Sequence, residues 1–229
     1  MKKAKRLLIF GTGLIGLYYL LWFVLCWLYP SEFAPDWIIK WQNKSRVASY
    51  RSAAEQGSSE AQRKLGTCYF LGMGVPLDQV EAVKWFHKAA KQGDADAQCR
   101  LAYCYYNGKG VAEDKTEAMR RYRIAAELGN VEGQWKLGVC YLNGIGDTKD
   151  EAEAAKWFRK AAEQDYYYAQ YLLGRCYFEG TGVPKDDDEA AKWLRKIQWD
   201  TRAAELLKEI ESGNPRTPNP QWGKEVSSL

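Results

Sequence analysis

Residues 59–93 read SEAQRKLGTCYFLGMGVPLDQVEAVKWFHKAAKQG, and most features of that stretch return three more times at an interval of 36 residues. Leu65, Leu101, Leu137 and Leu173 keep the interval, as do Tyr69, Tyr105, Tyr141 and Tyr177. So do Cys68, Cys104, Cys140 and Cys176, and the glycine pairs Gly72/Gly74, Gly108/Gly110, Gly144/Gly146 and Gly180/Gly182. Gly57, Gly93 and Gly129 follow the same rhythm, with Asp165 in the fourth place. A unit of this size cannot bury an apolar face alone and must stack on its neighbours, so the period predicts a solenoid.

Each unit reads as two helices. Ala61, Leu65, Cys68 and Tyr69 recur at i, i+4, i+7 and i+8, the apolar stripe of a helix from about Ser59 to Leu71. Gly72-Met73-Gly74-Val75-Pro76 breaks it, and a second helix from about Gln79 to Lys91 turns Ala82, Trp85, Phe86 and Ala89 towards its neighbours. Later units place Tyr122, then Trp157 and Phe158, then Trp193 and Leu194 at the large positions, while Arg121 departs from the tryptophan. The small residues Ala61, Ala97, Gly133 and Ala169, and then Gly66, Ala102, Gly138 and Gly174, mark where two helices approach closely.

The flanks differ. A helical pattern from about Lys40 to Gln56 matches the closing half of a unit and predicts an N-terminal cap. Thr201 to Ser212 predicts a terminal capping helix with Ala204, Leu207 and Ile210 turned inward, and Pro215, Pro218 and Pro220 then predict a flexible tail over 213–229, with Trp222 as its one large aromatic residue.

At the other end, Lys2, Lys3, Lys5 and Arg6 precede an uncharged run from Leu7 to Tyr29. As a helix this run is roughly 34 Å long, which predicts an uncleaved membrane span over 7–29 in contact with the lipid bilayer. The basic tail over 1–6 then lies in the cytoplasm, 30–39 forms a juxtamembrane segment, and the remainder is translocated, into the periplasm from the inner membrane if the host is bacterial. Gly11-Thr12-Gly13-Leu14-Ile15-Gly16 has the spacing of a dinucleotide fingerprint but lacks the βαβ context, so it reads as part of the spanning helix. The solenoid is expected over 40–212, with four full repeats from about 54 to 197.

The chain has 33 basic and 29 acidic residues, and the excess is the basic tail. A repeat region without net charge lacks the electrostatic footprint of nucleic-acid binding. His87, the single histidine, has no nucleophile and orienting group beside it in the pattern and reads as a solvated surface residue. The four in-phase cysteines and Cys99 read as buried free thiols, with a disulfide as the alternative; a convergent zinc site is not expected. Asp186-Asp187-Asp188-Glu189 reads as charge at a helix N-terminus rather than a cation site. Asn43-Lys44-Ser45 fits a glycosylation acceptor, relevant only in a eukaryotic secretory lumen. No catalytic, metal-binding or cofactor-binding residue is assigned.

Positions that break the repeat are the candidates for specificity. One column holds Arg63, Cys99, Trp135 and Tyr171, and another, one turn later, holds Thr67, Tyr103, Val139 and Arg175. Arg63, Tyr103, Trp135, Tyr171 and Arg175 have the chemistry of energetic centres in protein interfaces and are the candidate protein-binding residues. The alternative for Trp135 and Tyr171 is that they fill space between helices. Tyr166-Tyr167-Tyr168 offers a second patch at the edge.

Ala61, Leu65-Gly66, Tyr69, Gly72-x-Gly74-Val75, Asp78, Ala82, Trp85 and Lys88-Ala89-Ala90 together resemble the Sel-one-like repeat family, a shortened relative of tetratricopeptide arrays. The resemblance implies an all-α, right-handed solenoid of paired helices that binds proteins or peptides without enzymatic activity. It further implies, by analogy with anchored bacterial members, an immunity protein that binds and blocks a toxic effector such as a secreted phospholipase. The alternative is an adaptor that assembles envelope or membrane complexes through several weaker partners.

Overall fold

A computed structural model describes residues 36–213, which form ten α-helices and no strand among the described residues. They are α1 (Asp36–Glu55), α2 (Ser59–Leu71), α3 (Gln79–Lys91), α4 (Ala95–Asn107), α5 (Lys115–Glu127), α6 (Val131–Asn143), α7 (Glu151–Glu163), α8 (Tyr167–Glu179), α9 (Asp187–Arg195) and α10 (Thr201–Ser212). The principal packing partners are the two helices of a unit and the helices of the adjoining units, which makes the architecture a solenoid.

Local chemistry sets the helix boundaries. Ser58, Asp94 and Asn130 cap the first helix of their units by accepting the backbone N–H three residues on, and Asp78, Asp114, Asp150 and Asp186 do the same for the second. Each first helix ends on a left-handed glycine, Gly72, Gly108, Gly144 or Gly180, whose N–H returns to the carbonyl of the in-phase cysteine. The second glycine of each pair is held by a neighbour as well as by its φ. A Cβ on Gly146, at φ 76°, would lie 2.5 Å from the Lys115 carbonyl oxygen of the preceding unit.

Close approach explains the small residues inside the helices. A Cβ on Gly66 would come within 2.8 Å of the Phe86 ring, and one on Gly138 within 2.5 Å of Phe158. Leu65, Leu101, Leu137 and Leu173 are fully buried behind them, so removing any one of these leucines would leave a cavity costing about 3–5 kcal/mol. In α10, Ala203 and Leu207 are buried and Ile210 packs against the same cluster, while Ala204 is only half-buried.

The membrane expectation is corrected. Among the described residues no helix is long and apolar enough to cross a membrane. The two-helix units use helices of 13 residues or fewer, about 20 Å against a hydrocarbon core of about 30 Å. The longer α1, at 20 residues, carries charge from Asp36 through Lys40, Lys44, Arg46 and Arg51 to Glu55. Residues 7–29, where the span was expected, and the Gly11–Gly16 motif lie outside the described residues, as does Trp222. The structure therefore gives no support to the anchor, the bilayer contact, the periplasmic display or the single-pass topology.

Candidate functional site

The column read as candidate specificity residues builds the joints between units. Arg63 Nε donates to Asp94 Oδ2 at 3.2 Å, across 31 residues, and its Nη2 lies 3.5 Å from Asp96. One unit pair further on, Trp135 stacks on Tyr166 at the same spacing, with ring centroids 6.0 Å apart and planes 21° apart. Tyr171 repeats the relation with Arg202, whose guanidinium carbon is 5.1 Å from the ring centroid. Each of these three residues reaches forward from its own first helix to the cap turn or first turn of the next, while Cys99, the fourth of the column, is a buried free thiol.

Burial follows from that arrangement. Trp135 is 5% exposed and Tyr171 9% exposed, both within the C-terminal core, and Trp135 also meets Tyr168 edge-on at 5.1 Å. Burial pushes the Tyr168 phenol up to about 12, against the opposing pull of Arg202. Arg175 Nε donates to Glu179 at 2.9 Å and its Nη1 to Tyr171 Oη at 3.3 Å. In the second column Thr67 donates to the Arg63 carbonyl at 3.0 Å and Val139 is buried. Tyr103, which packs edge-on against Phe70, is 41% exposed and is the candidate most open to solvent.

The aromatic cluster emerges at the surface through Tyr167 and Trp199, 40% and 68% exposed, with centroids 5.2 Å apart. Tyr167 opens α8 and Trp199 sits in the turn before α10, so a packed wall of Trp135, Tyr166, Tyr168 and Tyr171 stands behind an exposed pair. The Tyr166-Tyr167-Tyr168 run anticipated half of this; Trp199, outside the repeat phase, had no periodic signal to mark it.

Two ladders of polar contacts were not read from the sequence. Gln62, Gln98, Gln134 and Gln170 are buried, and each donates its amide to the carbonyl eight residues earlier, Ala54, Ala90, Ala126 or Ala162. These carbonyls close the preceding second helices, so the glutamines satisfy helix ends that stacking removes from water. The 36-residue interval in the glutamines was itself the available signal. In the second ladder Arg51 donates to Tyr69 Oη at 2.7 Å and Arg123 to Tyr141 Oη at 2.9 Å, with Arg159 paired to Tyr177 in the same way.

His87 occupies the arginine position of that second ladder, its Nε2 3.3 Å from Tyr105 Oη. It is half-buried rather than solvated, and burial, with Arg121 and Lys91 adding to it, lowers its pKa below 6.5. The five described cysteines are free and buried. Burial pushes Cys104 and Cys140 up to about 12 and raises the other three thiols as well.

Asp186 caps α9, Glu189 pairs with Lys192 at 2.7 Å and Asp187 with Lys185 at 3.7 Å, so the acid run is held by its own helix and flanking lysines. No group of three or more His, Cys, Asp or Glu among the described residues has the geometry to hold a metal. The arrangement is that of a repeat scaffold of stacked helix pairs.

The Sel1 repeat pattern matches residues 59–94, 95–130, 131–166 and 168–197. A search of curated proteins gives no match. Among solved structures, the chain is similar to c5321, described as a protective antigen present in uropathogenic Escherichia coli strains displaying an SLR fold. The identity is 34% and the TM-score 0.70, over 78% of this chain and 39% of that one. It is also similar to a Sel1 repeat protein from Oxalobacter formigenes, at 36% identity and TM-score 0.70, over 73% of this chain and 50% of the other. The chain thus spans half or less of the length of these two relatives. With four consecutive matches across the helical pairs described above, the chain belongs to the Sel1 repeat family.

Proposed function

We propose that the chain is a scaffold that binds a protein partner through its exposed aromatic residues. The observation that carries this reading is the Tyr167–Trp199 pair, large rings left in water against a wall of buried aromatic residues. Such rings lose little conformational freedom on binding and bury large areas, as the energetic centres of protein interfaces do. Tyr103, Arg63 and Arg175 extend the candidate surface, and Trp135 and Tyr171 act from behind by fixing its shape. A stable complex needs roughly 1,200 Å² or more of buried surface, more than the aromatic pair supplies alone.

The test is affinity capture with the full-length protein, quantified by mass spectrometry against a Tyr167→Ser/Trp199→Ser variant whose helical content is checked by circular dichroism. Loss of one dominant partner by tenfold or more in a folded variant supports the reading, and unchanged capture overturns it. If the partner is a secreted hydrolase inhibited in the complex, the reading narrows to the immunity role implied by the family resemblance. Several proteins released together would narrow it to an assembly adaptor.

A further inference from the structure

Position 46 breaks the repeat in a way that the aromatic surface does not use. The equivalent residues of α3, α5, α7 and α9 are Ala82, Ala118, Ala154 and Ala190, all fully buried. In α1 the residue is Arg46, which is exposed and lines a pocket of about 210 Å³. Asn43 and Tyr50 of α1 share the lining with Lys64, Thr67 and Cys68 of α2 and with Met73 of the following turn.

The pocket has an apolar body and a cationic rim. Tyr50, Cys68 and Met73 supply the apolar surface. Arg46 Nη2 donates to the neutral Asn43 Oδ1 at 2.5 Å, and among the described residues no carboxylate pairs with this guanidinium. Lys64 Nζ lies 2.6 Å from Glu60 and 5.6 Å from the centroid of the Tyr50 ring. Counting Glu60, the rim keeps one positive charge in excess, and the planar guanidinium is the group suited to gripping a carboxylate by two hydrogen bonds. An aliphatic stem ending in a carboxylate matches both parts of the lining, and the volume admits one long side chain rather than a folded element.

We infer that this pocket binds a glutamate side chain presented by an apolar segment of the protein partner. The inference rests on the protein-binding reading above and adds a second contact point near the opposite end of the solenoid from Tyr167 and Trp199.

The chain has three methionines, which makes the test direct. Met73 lines the pocket and Met119 is buried between later units, so their methyl resonances serve as probe and internal reference. The full-length, methyl-labelled protein is titrated with an acetylated, amidated peptide of sequence Leu-Leu-Glu-Leu-Phe, with its glutamine analogue, and with inorganic phosphate. The expected result is a saturable shift of Met73 with Met119 unmoved. The glutamine peptide should bind at least tenfold more weakly, about 1.4 kcal/mol, and the shift should be lost in Arg46→Gln but retained in part in Arg46→Lys. A still Met73 resonance, equal affinity for the two peptides, or an equal response to phosphate overturns the inference. A still Met73 alongside partner capture that depends on Trp199 discards the pocket and leaves the protein-binding reading standing.

Discussion

Arg121 Nη1 donates to Gln98 Oε1 at 3.1 Å and so replaces a glutamine–glutamine contact used in the flanking units. There, Gln92 donates to Gln62 and Gln164 to Gln134, each at 2.8 Å. The residue equivalent to Gln92 and Gln164 is Leu128, which cannot donate from its side chain, and Arg121 stands where those units carry Trp85 and Trp157. Two departures from the repeat thus compensate each other at one buried acceptor.

Replacing Arg121 by Trp should leave Gln98 Oε1 without its partner and cost about 1–3 kcal/mol, read from urea denaturation. Adding Leu128→Gln should recover much of the loss, since it restores the pairing of the neighbouring units. A double-mutant cycle should show a coupling of about 1 kcal/mol or more, and strict additivity would dissolve the compensation.

The two kinds of repeating glycine should answer differently to alanine. Gly129, at φ 87°, faces open space, so Gly129→Ala should cost about 1–2 kcal/mol of backbone strain. Gly146→Ala adds a collision with the Lys115 carbonyl oxygen at 2.5 Å and with Met119 Cβ at 3.1 Å, and should cost about 1–3 kcal/mol more. Comparable urea midpoints for the two variants would show that the turn can move away from its neighbour.

His87 should give the stability curve a pH dependence in mild acid. Its folded pKa is lowered below 6.5, chiefly by burial, so the unfolded chain takes up a proton at a higher pH than the folded chain does. Stability should therefore fall as pH drops through that region and level off below the folded value. In His87→Arg this component should vanish while the contact to Tyr105 is kept in the form of the other rungs; an unchanged slope would assign it to another group.

The five described cysteines should resist alkylation at pH 8 in the folded protein and react promptly in denaturant. Their thiols are buried and neutral, with Cys104 and Cys140 pushed up to about 12. Mass spectrometry after iodoacetamide treatment counts the adducts. Rapid native labelling of Cys104 or Cys140 would mean that the units part readily.

The repeat phase carried most of the helical architecture because the cap residues, the glycine turns and the apolar stripe recur together; α2 and α3 begin and end at Ser59–Leu71 and Gln79–Lys91 as the pattern predicts. The use of the variable column was not legible. Residues such as Trp135 and Tyr171 look alike in sequence whether they meet a partner or the next unit, and only the forward reach to Tyr166 and Arg202 separates the two. The N-terminal reading rests on residues 7–29, which lie outside the described residues, and no described helix is long and apolar enough to cross a membrane. Trp199, Tyr167 and the Arg46 pocket depend on which surfaces the stack leaves open, a property of the assembled helices rather than of any one unit.

Every joint described here ties residues closer together than one repeat, by 8 positions in the glutamine ladder, 18 in the tyrosine ladder and 31 in the Arg63 joint. Excising or duplicating 36 consecutive residues therefore returns each donor of the glutamine and tyrosine ladders to an acceptor of the same kind, whereas the joints Arg63–Asp94, Trp135–Tyr166 and Tyr171–Arg202 would be re-paired. Length is then a quantity that recombination can adjust by whole units with both ladders kept in register, while an insertion or deletion of even one residue within a unit puts every contact across it out of step.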